Sequence, residues 1–231
     1  MPVVSRGDLI QALVSLAVTL LIMAAALFVC AGTLRWRHGL WFMAGFALLT
    51  VIAVAWLWRV NPEIFLARKR PTGQGTRGWD LVLLSVLLPT FLAILVVAAL
   101  DDGRFHWAPA PPWAVAAGYV LLVAGYAGTG WAQAVNRHFE PSVRIQRDRD
   151  HHVITTGPYA HVRHPGYIFG NILAVGMALA LGSWWALAPA LMFVVVLAVR
   201  TRLEDAMLQR ELPGYAAYAA RVRFRWIPGV W

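Results

Sequence analysis

The sequence predicts an all-α protein, a polytopic transmembrane helical bundle of about six spans with a C-terminal interfacial helix. Three observations predict it. Hydrophobic residues make up 60% of the 231-residue chain and charged residues only 13%, with a mean hydropathy of +0.62, a balance that belongs to integral membrane proteins rather than soluble domains. The apolar residues fall in runs long enough, or nearly so, to cross a hydrocarbon core about 30 Å thick. The basic residues gather at the ends of those runs, where anionic lipid and the positive-inside rule account for the net charge of +9 without invoking nucleic acid as a partner.

The first run, 9–34, is too long for a signal-peptide core of roughly 7 to 15 residues and reads as a retained span. It contains Cys30, the single cysteine of the chain, so a disulfide-stapled secreted scaffold is excluded. A second run covers 40–60. The Gly-rich basic stretch 68–78 then suits a flexible loop at the headgroup surface; it lacks the Lys-Ser/Thr pair and the preceding strand of a phosphate-binding loop. Runs at 80–100 and 112–135 follow. The last two, 166–182 and 184–200, are shorter and are separated only by Gly182 and Ser183, which predicts a tight helical hairpin. Gly166, Gly170 and Gly176 would let its first helix approach a neighbour closely.

Loop charges orient the bundle. Segment 59–78 carries Arg59, Arg68, Lys69, Arg70 and Arg77, whereas 101–111 carries Asp101, Asp102 and only Arg104, so the former is expected in the cytoplasm. Counting spans places 136–165 and both termini there too, with Arg35 and Arg37 running against the rule. The expected location is a bacterial inner membrane. Two regions divide the chain, N-terminal transmembrane helices over 1–110 and a functional region over 111–231 that contains the hairpin 166–200.

Chemistry concentrates in the second region. Segment 157–167, GPYAHVRHPGY, breaks the apolar pattern with paired prolines, glycines, tyrosines and histidines around Arg163. Pro165 fits the first turn of a helix, where a missing N–H costs nothing, and it forces His164 toward an extended conformation. The result is a fixed histidine at a helix N-terminus, an end that favours a carboxylate or phosphate. Arg200 and Glu204 stand four apart with Leu208 one turn on, and Arg202 with Asp205 forms a second potential pair. Five of the seven histidines lie in 136–165. Their spacing does not suit a metal, because His151 and His152 are sequence neighbours, Pro165 interrupts His161 and His164, and no second cysteine or HExxH is present. His151 and His152 are therefore read as solvated or lying among lipid headgroups. The tail places Tyr215, Tyr218 and Val222 on one helical face and then alternates arginine with apolar residues, as an interfacial element does.

Together, GPYxxVRHPGY, the hairpin, RxxxED followed by Leu208, and PGYxxYxxRVRxRxIP resemble the isoprenylcysteine carboxyl methyltransferase-like membrane enzymes, whose wider relatives include phospholipid N-methyltransferases. Asn136 to Phe139 and Val143 to Gln146 look like the bacterial branch. The resemblance covers roughly 130–231, and residues 1–110 carry none of it. Glu204-Asp205 stands where the family commonly has Glu-Glu.

The resemblance implies a cytoplasm-facing pocket for S-adenosylmethionine and methyl transfer to a membrane-associated or lipophilic acceptor, whether carboxylate, amine or thiol. Cofactor contacts would come from Gly157, Pro158, Tyr159, His164, Pro165, Tyr167, Glu204, Asp205 and Leu208. Arg163, Arg200 and Glu204 would act on the reacting groups, with an arginine holding an anionic acceptor, and no metal is expected. No glycine-rich strand–helix turn of a soluble methyltransferase is present. Two alternatives stand beside this reading: an NADPH-dependent membrane reductase of the sterol type, and a non-catalytic membrane protein.

Overall fold

The structure is a computed structural model that describes residues 6–68 and 75–231. Residues 69–74, most of the expected flexible loop 68–78, lie outside the described residues, as do 1–5. All described secondary structure is helical apart from one isolated bridge between Pro109 and Ser183.

Helix α1 (Arg6–Ala31) and α2 (Arg37–Val60) form the first pair, and the short α3 (Glu63–Arg68) follows. Helix α4 (Gly78–Ala98) runs on into a π-helical turn, Ala99–Phe105. Helix α5 (Pro112–Val135) starts at a proline and ends where the sequence pattern ends. The hairpin is α6 (Pro165–Ala180) and α7 (Leu187–Glu211), and α8 (Tyr215–Arg221) follows.

Among the described residues four helical segments are long and apolar enough to cross a membrane: 13–31, 37–60, 78–105 and 112–135. Helix α6 has 16 residues, about 24 Å at 1.5 Å per residue, short of a core about 30 Å thick. Helix α7 continues well beyond the expected end at 200, because its polar half, 200–211, is itself a good helix former with protein on one side. Outward side chains such as Val29, Trp41, Leu88 and Val120 are exposed, as lipid-facing positions are. Inside, Leu27, Phe42, Ile94, Leu95, Met177 and Leu181 are fully buried in a core drawn from both sides of residue 110.

The close approach expected of the α6 glycines is made mainly from α5. A Cβ on Gly118 would lie 2.3 Å from the Ala180 backbone nitrogen, and one on Gly125 would lie 2.7 Å from that of Leu173. From α6, a Cβ on Gly176 would lie 2.6 Å from the Leu122 nitrogen, Gly166 makes room for the Phe139 ring, and a Cβ on Gly170 would make only ordinary contact with Leu197.

The two ends of the bundle differ. At one, Asp101 and Asp102, expected in a polar loop, are buried by the π-helical turn. Asp102 accepts a hydrogen bond from Trp36 Nε1 at 2.6 Å and lies 2.7 Å from His38 Nδ1, while Asp101 receives the Ser183 hydroxyl and the Ala108 N–H. These bonds satisfy the carboxylates and tie the hairpin tip to α2 and α4. At the other end α3, the segment 136–164 and the tail meet: Arg149 bridges to Glu63 at 3.1 Å, and the Arg77 guanidinium pairs with Glu211.

Candidate functional site

At that second end, Gly157 takes φ +58°, a left-handed conformation that suits glycine, and opens a 3₁₀ turn over Gly157–Ala160. Pro158 and Tyr159 are thereby buried. The Tyr159 hydroxyl accepts from Asn136 Nδ2 at 2.9 Å, and its carbonyl accepts from the Tyr218 hydroxyl at 2.7 Å. Pro165 is the first residue of α6, and His164 caps the helix at φ −127°, ψ 60°.

Asp205, fully buried on α7, is the hub beneath this turn. Arg163 grips it with Nε and Nη2 at 2.8 and 2.9 Å. Gln209, the Tyr215 hydroxyl and Arg225 Nε also donate to it, each at 3.0 Å, and His164 Nε2 lies 3.2 Å away. Burial alone would raise the Asp205 carboxyl, but the bonds from His164 and Arg163 outweigh it and hold the group well below the usual carboxylate range. Burial and the charge of Asp205 push the Tyr215 phenol up. Arg163 also donates to the carbonyls of Val222 and Arg223 at 2.8 Å, and the N–H groups of Arg163 and His164 donate to Phe224 and Arg225 at 3.0 Å. The tail is thus fastened to the 157–164 segment. Its tyrosine face packs on Val143, Met207, Leu208 and Leu212, so protein covers the side of α8 that the sequence pattern assigned to the membrane interface.

A second buried pair shapes the cavity beside the hub. Arg200 donates to both oxygens of Asp80 at 2.7 and 3.1 Å and to the Pro141 carbonyl at 2.6 Å. Its guanidinium sits 5.5 Å over the Tyr167 ring, and the Tyr167 hydroxyl donates to Glu204. The pairs expected along α7 are therefore not the ones formed. Arg200 turns to α4 and Asp205 to the 157–164 turn, because buried charges need buried partners of opposite sign, while Arg202 stays exposed.

The cavity is lined by Tyr159, Arg163, His164, Tyr167, Arg200, Glu204 and Leu208 from the expected set. Gly157, Pro158, Pro165 and Asp205 do not line it; they shape and brace the residues that do. Among the described residues Glu204 has no ion-pair partner, and it is the carboxylate of α7 that faces this space.

The remaining wall was not foreseen. Asn136, His138, Phe139, Ser142, Arg144, Gln146, His151 and His152 line it, so His151 and His152 are drawn into the site rather than left in solvent. The fold of 136–154 is responsible: Arg144 clasps Glu140 at 2.7 Å and Asp148 at 2.6 Å, Val143 N–H donates to Asp80 at 2.7 Å, and Gln146 Nε2 donates to the His138 carbonyl at 2.6 Å. The only sequence signal was the density of histidines. Desolvation, with the neighbouring His151 and His152, lowers His138 to about 3; desolvation, with His152 and two arginines, lowers His151 to about 4. Both are neutral near pH 7. Among the described residues no group of three or more His, Cys, Asp or Glu side chains is arranged to hold a metal ion.

Residues 113–213 match the family model described as phospholipid methyltransferase. This segment, which supplies nearly all of the cavity wall, is thus similar to phospholipid methyltransferases. It is also 33% identical over 132 residues to a protein of Alcaligenes xylosoxydans xylosoxydans named nickel-cobalt-cadmium resistance protein NccN, a match covering 55% of this chain and 57% of that one. The chain thus spans just over half the length of the curated relative it matches. Neither comparison supports the reductase or the non-catalytic reading.

Proposed function

We propose that the protein transfers a methyl group from S-adenosylmethionine to a lipophilic, membrane-associated acceptor at the cytoplasmic membrane face. The observation that carries this reading is the coincidence of the family-matched segment with the cavity.

The donor chemistry of the cavity fits the cofactor. Glu204 is a cavity-facing carboxylate whose partner is a neutral phenol, which leaves its charge available for the ammonium of the methionyl part. Tyr167, stacked parallel to His164 at 5.7 Å, and Tyr159 present aromatic surface suited to a sulfonium. His164 and Arg200 stand near the start of α6 for a carboxylate, and Leu208 with Val143 offers apolar surface to a purine. When bound, the cofactor supplies an electrophilic methyl group. The chain then has to hold two reactants in line and keep water out, tasks for alignment and desolvation rather than for a covalent intermediate. Arg163 acts through Asp205 by fixing the 157–164 turn and the tail. Arg200 and Glu204 are the arginine and the carboxylate proposed to touch ligand, beside the aromatic, histidine and apolar contacts above.

Calorimetric titration of the purified protein with S-adenosylhomocysteine tests the reading. Saturable binding in the micromolar range, about −8 kcal/mol, is expected. Binding of NADPH with no response to S-adenosylhomocysteine would refute it.

A further inference from the structure

Arg200 and Glu204 stand four residues apart on α7, a spacing at which an arginine and a glutamate ordinarily pair. They do not pair here. Asp80 accepts from both Nε and Nη2 of Arg200, at 2.7 and 3.1 Å, and the Pro141 carbonyl accepts from Nη2 at 2.6 Å. Asp80 lies fully buried in the first turn of α4, where the Val143 N–H also donates to it at 2.7 Å. Glu204 is left with the Tyr167 hydroxyl, a neutral donor, and with no ion-pair partner among the described residues. Asp80 does not line the cavity and lies outside the segment 113–213 that matches the family model, so none of the roles assigned above includes it.

This arrangement decides the charge that the cavity offers a ligand. A guanidinium does not give up its proton, and a buried one that loses its counter-charge needs another anion. Glu204, one helical turn along, has the spacing to supply it. The other arginines of the wall are already matched, Arg163 by Asp205 and Arg144 by Glu140. Glu204 therefore stays free of a cation because Asp80 occupies Arg200. A cavity with one unmatched carboxylate favours a ligand of net positive charge over the same ligand without it. The methyl donor and its product differ in that charge: S-adenosylmethionine carries a sulfonium, an ammonium and a carboxylate, and S-adenosylhomocysteine lacks the sulfonium.

Resting on the methyl-transfer reading, we propose that Asp80 is a positioning residue for cofactor discrimination: by holding Arg200 away from Glu204 it keeps one unmatched negative charge in the cavity, which favours the cationic cofactor over its neutral product. The spent cofactor is then held less tightly than the fresh one, which promotes exchange between turnovers. The N-terminal helices thus contribute to the site through a side chain that touches neither reactant.

The experiment measures equilibrium binding of two ligands to the full chain in neutral detergent at neutral pH, with melting temperature recorded alongside. One ligand is S-adenosylhomocysteine; the other is sinefungin, in which a protonated amine stands in for the methylsulfonium group. The ratio of the two affinities is the readout, because a change of shape or the loss of a contact common to both ligands cancels in it. One unit of charge at about 10 Å, in an effective dielectric of about 20, changes an affinity about ten-fold. Wild type should therefore bind sinefungin about ten-fold more tightly than S-adenosylhomocysteine. Asp80→Asn should stay folded, with Arg200 turned to Glu204, and should bind the two ligands about equally. The double variant Asp80→Asn, Arg200→Gln removes the whole pair and leaves Glu204 unmatched again. It should restore the wild-type ratio, although both ligands bind more weakly for want of Arg200.

An unchanged ratio in Asp80→Asn would overturn the proposal, and so would a double variant whose ratio stays at the Asp80→Asn level. An Asp80→Asn chain that does not fold would overturn it too, because Glu204 would then be no alternative partner for Arg200 and Asp80 would serve stability alone. Equal binding of both ligands by wild type would remove the discrimination and leave the cofactor assignment in place. Failure of wild type to bind either ligand would instead remove the methyl-transfer reading, and the proposal with it.

Discussion

Replacing Asp205 by asparagine keeps the shape of the hub and removes its charge. Four donor residues converge on this carboxylate, with His164 beside them. The Arg163 side chain is only 5% exposed and that of Asp205 0%, so the guanidinium cannot turn to water once its counter-charge is gone. Breaking one partner of a buried pair costs about 3–5 kcal/mol. Arg225 is 30% exposed and can be resolvated, adding little. For a chain of this size each kcal/mol is worth about 2–4 °C, so Asp205→Asn should melt about 10 °C below wild type. Differential scanning fluorimetry in detergent measures it, and Trp226, which donates to Thr201 on the same helix, provides an intrinsic signal. The pH dependence has a definite sign. Because the Asp205 carboxyl is held below its ordinary value, its contribution is complete above the unfolded value of about 4 and is lost as the pH falls through the folded one. The gap between wild type and variant should therefore be constant from pH 8 to about 5 and narrow below about 4. A variant that melts within about 2 °C of wild type at pH 7 would refute the hub's role.

Three further outcomes are expected. Glu204→Gln should melt like wild type yet bind S-adenosylhomocysteine about ten- to a hundredfold more weakly by calorimetry, since it removes a charge-assisted bond of about 1.5–3 kcal/mol to the ligand; unchanged affinity would place the cofactor elsewhere. Gly118→Val should cost about 1–3 kcal/mol by overpacking, read as a lowered melting temperature, because even a Cβ would lie 2.3 Å from the Ala180 nitrogen. In a Cys30→Ala background, single cysteines at exposed Arg35 and Arg221 should label from opposite membrane faces, Arg221→Cys from the cytoplasm; labelling from one face would reject the orientation.

Hydropathy placed the helices well, since a span must bury its backbone polar groups and is therefore a continuous apolar run. The bounds of α5 coincide with the expected 112–135. Local pairing along α7 was the weaker guide. Arg200 and Glu204 are at helical spacing, yet Arg200 finds Asp80, 120 residues away, and no periodicity reports a contact of that separation. The same holds for the tail, whose Val222 carbonyl accepts from Arg163 and whose Arg225 reaches Asp205. The burial of Asp101 and Asp102 depended on a π-helical turn, which has no sequence signature, and on its contact with the hairpin tip. His138 and His151 were visible as part of a histidine-rich stretch, but their place in the cavity follows from the Arg144 clasp and the Gln146 bond, which only the folded chain brings together.

Membranes containing the protein, incubated with S-adenosylmethionine labelled in its methyl group and then extracted with organic solvent, test the methyl-transfer proposal most directly. Label should pass into a lipid-soluble product in proportion to the amount of wild-type protein and should fall to background with Glu204→Gln at the same expression level. Label that stays in the aqueous phase for wild type, or that enters lipid equally with Glu204→Gln, would contradict the assignment of this cavity to methyl transfer.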